Sequence, residues 1–95
     1  MVLPDTIRLG GYTYAVKLKA ALSRDEGALA HSCGNALEIE IDSTIPEQNQ
    51  ESALLHEIIE QINYRYELKL RHSQITTLET ALYQVLRDHP DLFHT

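Results

Sequence analysis

Several features that mark large classes of proteins are scarce or missing in this sequence. The chain contains a single cysteine, Cys33, so it cannot form an internal disulfide, which agrees with a reducing compartment. No charged and then apolar leader opens the sequence, and no apolar run approaches the length of a membrane span. We therefore expect a cytoplasmic protein that has no membrane partner.

Basic residues are also few in this sequence. The sequence has 8 lysine and arginine residues against 14 aspartate and glutamate residues, which gives a net charge of -6. The basic residues form no cluster beyond the pairs Lys17 and Lys19, and Lys69 and Arg71, so they offer little to a nucleic-acid backbone. We therefore expect no nucleic-acid partner.

The remaining composition is that of a small globular protein. Of the 95 residues, 43% are hydrophobic and 23% are charged, which is typical of a folded chain and unlike a disordered one. A chain of this length has room for one hydrophobic core of modest stability. We expect residues 1–95 to form a single domain.

Short alternating segments in the first half predict a small antiparallel sheet of three to four strands. Segments 6–9 and 12–19 flank Gly10 and Gly11, and a two-residue glycine loop between alternating runs is typical of a tight hairpin. A polar loop follows, and then a weaker strand is predicted over residues 28–33.

The segment 37–42 gives the clearest strand pattern in the chain. Apolar and acidic residues alternate strictly along it, as expected for a strand that faces the core on one side and solvent on the other. The pattern predicts an inward face of Leu37, Ile39 and Ile41 and an outward face of Glu38, Glu40 and Asp42.

The second half predicts two antiparallel helices that pack on one side of this sheet, an α+β arrangement. The first helix begins between Pro46 and Gln50 and runs to about Glu67. Ser73 is expected to cap the second helix, and Pro90 to stop it. The apolar stripe of the first helix is Leu55, Ile58, Ile59, Ile62 and Tyr66. The stripe of the second is Ile75, Leu78, Leu82, Val85 and Leu86.

The border of the first stripe carries the residues with metal-binding chemistry. His56, Glu60 and Asn63 lie one turn above another, so their side chains can converge. An imidazole and a carboxylate in this arrangement can hold a divalent metal, and Glu57 can reach a water on that metal. The alternative interpretation is that these are solvated polar residues of a helix border.

A third ligand is expected from the second helix. Glu79 interrupts the apolar stripe of that helix and needs a partner, and an antiparallel pairing brings it opposite the turn with His56 and Glu60. His72 is the runner-up, because the helical rise places it about 9 Å from Glu60 along the axis. Tyr83, one turn beyond Glu79, could serve as a core aromatic or could stabilise an oxyanion.

The segments 54–59 (LLHEII) and 82–88 (LYQVLRD), together with the preceding strand, resemble the compact zincin-type metallopeptidase-like proteins of bacteriophages and bacterial mobile elements. The resemblance covers most of the chain and implies a minimal zincin-like fold. It implies His56 and Glu79 as metal ligands and Glu57 as general base. Glu60 departs from the family pattern, which has its second histidine at that position.

Two function classes follow from the sequence. In the first, the protein is a metal-dependent peptidase, with zinc held by His56, Glu60 and Glu79 and with a peptide or protein substrate paired along the strand 37–42. In the second, the protein is a catalytically inactive zincin-like module that binds or regulates a partner.

Overall fold

The computed structural model describes residues 3–93, which form four strands and three helices. In chain order these are β1 (Thr6–Leu9), β2 (Tyr12–Lys19), α1 (Leu22–Glu26), β3 (Ala30–Cys33), β4 (Glu38–Asp42), α2 (Glu47–Tyr66) and α3 (His72–Asp88). The predicted α+β class, a sheet followed by two long helices, is confirmed.

The strands form one sheet in the order β1-β2-β4-β3. Two pairs, β1 with β2 and β3 with β4, are antiparallel, but β2 and β4 are parallel, so the sheet is mixed. The prediction of a purely antiparallel sheet is wrong at that one pairing. After β2 the chain crosses to the far edge, forms β3 there, and turns back so that β4 fills the gap. Alternation in a sequence indicates which face of a strand is buried, but not which strand lies beside it.

The predicted β1-β2 hairpin is confirmed. Leu9 pairs with Tyr12 across the two-residue loop. Gly10 and Gly11 have φ angles of 58° and 83°, the left-handed region that the tight hairpin turn requires at both positions. A residue with a Cβ atom would be strained at either position.

The core lies between the sheet and α2. Its buried members are Tyr14, Ile39, Ile41, Ala53 and Leu54. Ile39 and Ile41 face inward as their alternation predicts, and burial of each such side chain contributes about 1.5 to 3 kcal/mol to folding.

Asp42 does not face solvent, so that part of the strand prediction is wrong. Its side chain is fully buried, and its carboxylate accepts hydrogen bonds from the backbone N–H and hydroxyl of Ser23 and of Thr44. The expected polar loop at residues 23–27 contains the short helix α1 instead, and Asp42 satisfies a backbone N–H of its first turn. The hydrogen bond from the Ser23 hydroxyl and those from Thr44 hold the pKa of Asp42 well below its usual range.

Helix α2 lies between the sheet and α3, and it contacts β3, β4 and α3. It begins and ends where the sequence predicts. Its sheet-facing side is more polar than the predicted stripe, because Glu57 and Gln61 are buried there whereas Tyr66 is exposed. Ile59 is the one member of the predicted stripe that is buried.

Helix α3 packs on α2, and most of its apolar stripe stays open to solvent. It begins at His72 with Arg71 as the N-cap residue, so Ser73 is not the cap, and it ends at Asp88 shortly before Pro90. Ile75 is buried, but the other four apolar side chains of the stripe are 40–44% exposed. The stripe does not reach the sheet, because α2 lies between them. Among residues 3–93, no helix combines the length and apolar character needed to cross a membrane.

Candidate metal centre

His56 lies in the middle of α2, and its two ring nitrogens have different partners. Nδ1 lies 2.8 Å from Oε1 of Glu79 on α3, and the other oxygen of Glu79 accepts a hydrogen bond from the Ser52 hydroxyl. A carboxylate only accepts, so Nδ1 carries a proton, and Nε2 is the ring nitrogen left for coordination. Nε2 is 3.7 Å from Oε1 of Glu60, one turn further along α2.

Three residues with metal-ligand chemistry lie close together around His56. His56, Glu60 and His72 each offer one ligand atom, and these atoms all lie within 4.8 Å of one another. The rings of His56 and His72 meet edge to face, with their centroids 5.3 Å apart. Two imidazoles and one carboxylate form the His₂Glu donor set of many catalytic zinc sites, so the residues present fit a zinc ion.

The expectation that His72 lies too far from Glu60 is wrong, and the reason is the linker between the helices. The Asn63 side chain accepts a hydrogen bond from the Leu70 N–H at 2.8 Å and donates one to the Leu70 carbonyl at 3.3 Å. The linker therefore runs back along α2 before α3 begins. His72, the first residue of α3, consequently lies beside the turn of α2 that contains His56 and Glu60.

Glu79 lies opposite His56, as its position in the apolar stripe predicts, but it occupies a different place from the one expected for a ligand. It contacts Nδ1, whereas Glu60 and His72 gather with His56 in the three-residue group. A carboxylate that accepts from the other ring nitrogen of a metal-binding histidine fixes the orientation and tautomer of the ring. Glu79 stood out in the sequence because it is an acid within an apolar stripe. Its contact with Nδ1 of His56 supplies the partner that such an acid needs.

Glu57 is buried beside this group. Its side chain is only 4% exposed, and its Oε1 accepts a hydrogen bond of 2.8 Å from the Ser32 hydroxyl on β3. Burial raises the pKa of Glu57 to about 7 and the neighbouring Glu60 adds to the rise, whereas the hydrogen bond from Ser32 opposes it. A carboxyl group of this kind can take up and release a proton near neutral pH.

An open cavity of about 610 Å³ lies between α2, α3 and the segment that leads into β3, and its lining includes both histidines but not Glu60. His56 and Glu57 line it from α2, His72 and Glu79 line it from α3, and residues 28–30 line its third side. The cavity is therefore large enough for a segment of a substrate beside the candidate ligands.

Two other residues named from the sequence have their polar groups engaged elsewhere. The Tyr83 hydroxyl lines the same cavity but donates to Oε1 of Glu51 at 2.7 Å and accepts from Arg87 at 3.2 Å. Its proton is thus directed at Glu51, which leaves it poorly placed to stabilise an oxyanion. Asn63 binds the Leu70 backbone through both polar atoms of its side chain.

The strand expected to pair with a substrate is not available for pairing. β4 lies inside the sheet, with β2 on one side and β3 on the other. β3 is an edge strand, as is β1, and the first residue of β3, Ala30, lines the cavity. An extended peptide could therefore add to the sheet at β3, but not at residues 37–42.

The sequence did not predict the two polar residues behind Glu57, Ser32 and Gln61. Ser32 donates to Glu57, and Gln61 Nε2 donates to the Ser32 hydroxyl oxygen at 2.9 Å. Glu57, Gln61 and Arg65 follow one another at four-residue spacing, so they share one face of α2. That spacing of polar residues along one face of the helix was the available signal for Gln61. Nothing in the strand pattern distinguishes Ser32.

Comparison of the chain with protein-family profiles, with curated proteins and with solved structures finds no match.

Proposed function

We propose that the protein is a metal-dependent hydrolase that cleaves peptide bonds, in which His56, Glu60 and His72 hold a zinc ion and Glu57 is the general base. One observation carries the proposal. Ligand atoms from two helices lie within 4.8 Å of one another, and a buried carboxylate lines the same cavity as both histidines. A zinc ion held there would lower the pKa of a bound water and polarise a substrate carbonyl group.

The residues around the ligands support this assignment. Glu79 accepts from Nδ1 of His56 and so presents Nε2, the nitrogen near Glu60, for coordination. Ser52 donates to the second oxygen of Glu79 and keeps that carboxylate in place. Glu57 is adjacent to the ligand His56 in sequence but accepts from Ser32, so it remains available as a base.

A peptide is the substrate class that best fits the surroundings of the site. β3 has one free edge, which can form backbone hydrogen bonds with an extended chain, and it begins at the wall of the cavity. Peptides offer the alternating N–H and C=O groups that such an edge recognises. The single thiol, Cys33, is exposed and free, which is compatible with action in a reducing, cytoplasmic compartment.

The test is elemental analysis followed by a cleavage assay. Protein purified without chelator should contain about one zinc ion per chain, and the loaded protein should cleave members of a random peptide library, read out by mass spectrometry. Stoichiometric metal without cleavage would favour the inactive binding module, since metal can also serve a structural role. Protein that binds no divalent metal from a buffered solution would overturn the metal centre itself.

A further inference from the structure

A continuous line of hydrogen bonds runs beneath the site from the surface of the protein to Glu57. Arg65 Nε donates to the Tyr14 hydroxyl oxygen at 2.9 Å, and that hydroxyl donates to Oε1 of Gln61 at 2.8 Å. Gln61 Nε2 then donates to the Ser32 hydroxyl oxygen at 2.9 Å, and Ser32 donates to Oε1 of Glu57 at 2.8 Å. Side chains from β2, β3 and α2 therefore act together on one carboxylate oxygen.

The direction of the bonds in this line follows from its Arg65 end. A guanidinium group can only donate, so Tyr14 must accept from Arg65 and pass its own proton on to Gln61. Gln61 must then present its carbonyl oxygen to Tyr14, which turns its amide nitrogen toward Ser32. Ser32 accepts from that amide, and its proton is left to point at Glu57. The line therefore ends with a donor directed at the base.

Three members of the line are buried, and Ser32, which donates to Glu57, is half-buried. Tyr14 is fully buried, and Gln61 and Glu57 are 6% and 4% exposed. Outside the line, Arg65 is held by a second donation of 2.8 Å to the Gly34 carbonyl and by its position 4.0 Å above the Tyr12 ring. A Cβ atom on Gly34 would come within 2.5 Å of the Tyr64 ring and within 3.1 Å of Oε1 of Gln61, so glycine there leaves room chiefly for Tyr64.

We propose that Ser32 is a positioning residue for the general base Glu57, and that Gln61, Tyr14 and Arg65 set the direction in which its hydroxyl donates. The inference rests on the proposed function above. Ser32 holds Oε1 of Glu57, which leaves Oε2 to take a proton from the attacking water. As the water oxygen bonds to the carbonyl carbon and the C–N bond breaks, Oε2 returns this proton to the leaving nitrogen.

Gln61→Glu tests the direction of the line with almost no change in side-chain shape. The ionised carboxylate that this substitution introduces accepts from Tyr14 through one oxygen and from Ser32 through the other, so the Ser32 proton turns away from Glu57. We expect kcat to fall by about ten- to a hundredfold, because the base loses its orientation. The KM for peptide and the bound zinc should not change, because none of the ligands has moved. Gln84→Glu, the same change on the exposed face of α3, is the matched control and should leave both constants as in the wild type.

Variants at Ser32 provide the second measurement, in case Gln61→Glu does not fold. Ser32→Ala removes the donor and should lower kcat by a similar factor, whereas Ser32→Thr keeps the hydroxyl and should restore most of the rate. Equal kcat values in the wild type, Ser32→Ala and Ser32→Thr would overturn the inference. So would equal losses in the alanine and threonine variants, because packing rather than the hydroxyl would then be responsible.

Crystal structures separate a failure of this inference from a failure of the proposed function. Peptide cleavage that is unchanged in Gln61→Glu and Ser32→Ala overturns the positioning role alone. A wild-type protein that cleaves no peptide overturns the proposed function, and the orientation of Glu57 in the Ser32→Ala crystal then decides whether the line positions this carboxylate. An unmoved Glu57 side chain would overturn the inference in that case as well.

Discussion

His56 shows how a single side chain can connect the two helices of the site. Its Nδ1 meets Glu79 on α3, and its Nε2 lies toward Glu60 on α2. The carboxylate at Nδ1 orients the ring and leaves Nε2 as the nitrogen that faces Glu60. A histidine with only one engaged nitrogen would be free to turn about its side-chain bonds, so both contacts contribute to the geometry of the centre.

At the same scale, Glu57→Gln distinguishes the proposed base from the proposed ligands. The amide can still accept from Ser32, but it cannot take a proton, so we expect peptide cleavage to fall by about a hundredfold or more. Zinc content should remain that of the wild type, because Glu57 is not a ligand. Parallel measurements of zinc content and cleavage check both statements. Full activity in this variant would remove Glu57 from the mechanism.

His72 and Glu79 can be distinguished by the size of their effects on metal affinity. Loss of a supporting carboxylate typically lowers metal affinity by about 10- to 100-fold, so Glu79→Gln should keep a measurable zinc site. His72→Ala removes a ligand and should lower the affinity further. Competition with a chromophoric chelator measures both dissociation constants. The reverse order, with the larger loss in Glu79→Gln, would assign the third ligand to Glu79 and leave His72 as a neighbour.

At the scale of elements, Asp42 joins the end of β4 to the start of α1. Its carboxylate accepts from Ser23 in α1 and from Thr44 in the turn that leads toward α2. One buried acid thereby holds three segments of the chain in register, and it does so only in its ionised form. The connection between this end of the sheet and the helices should therefore depend on pH.

We expect Asp42→Asn to destabilise the protein at neutral pH and the difference from wild type to shrink in acid. The folded-state pKa of Asp42 lies well below its unfolded value of about 3.8. Its stabilising effect is therefore complete only above about pH 5 and is lost progressively as the pH falls toward the folded-state value. Urea unfolding from pH 7 to pH 2.5 measures this difference. Asp5→Asn, at an exposed position, is the control, and a difference that persists unchanged in acid would contradict the assignment.

The contact between α2 and α3 is unusual for a helical pair because polar bonds contribute much of it. His56 and Ser52 meet Glu79 near its middle, and Tyr83 and Arg87 meet the buried Glu51 at its far end. The apolar stripe of α3 contributes mainly Ile75. A metal ion coordinated by residues of both helices would therefore stabilise a helix pair whose interface buries little apolar surface of α3.

For the whole molecule, we expect metal binding to raise the melting temperature. Free zinc at about 100 times its dissociation constant stabilises the folded state by roughly 2.7 kcal/mol, which corresponds to about 10 to 20 °C for a domain of this size. Calorimetry with buffered zinc and with chelator measures the shift. His56→Ala should lose the zinc-dependent increment, and a wild-type melting temperature that is equal in both conditions would contradict a site shared by two helices.

The sequence by itself determined the class of fold, the hairpin at Gly10 and Gly11, the bounds of α2 and the meeting of Glu79 with His56. Each of these follows from local periodicity, turn chemistry or the antiparallel pairing of neighbouring helices, and these are properties of residues close together in the chain. The prediction for Glu79 is the one that extended to a contact between the helices. An acid in an apolar stripe needs a partner wherever the stripe packs, and that partner is His56.

Only the tertiary structure decided the neighbours of β4, the burial of Asp42, the entry of His72 into the site and the line of donors behind Glu57. Strand order depends on where a crossover places the edge strand, which no alternation pattern records. The position of His72 depends on a linker bound back onto Asn63, and that contact shifts the second helix along the first. The direction of donation at Ser32 depends on Arg65 and Tyr14, which are far from it in sequence and are linked to it through Gln61 only when α2 packs on the sheet.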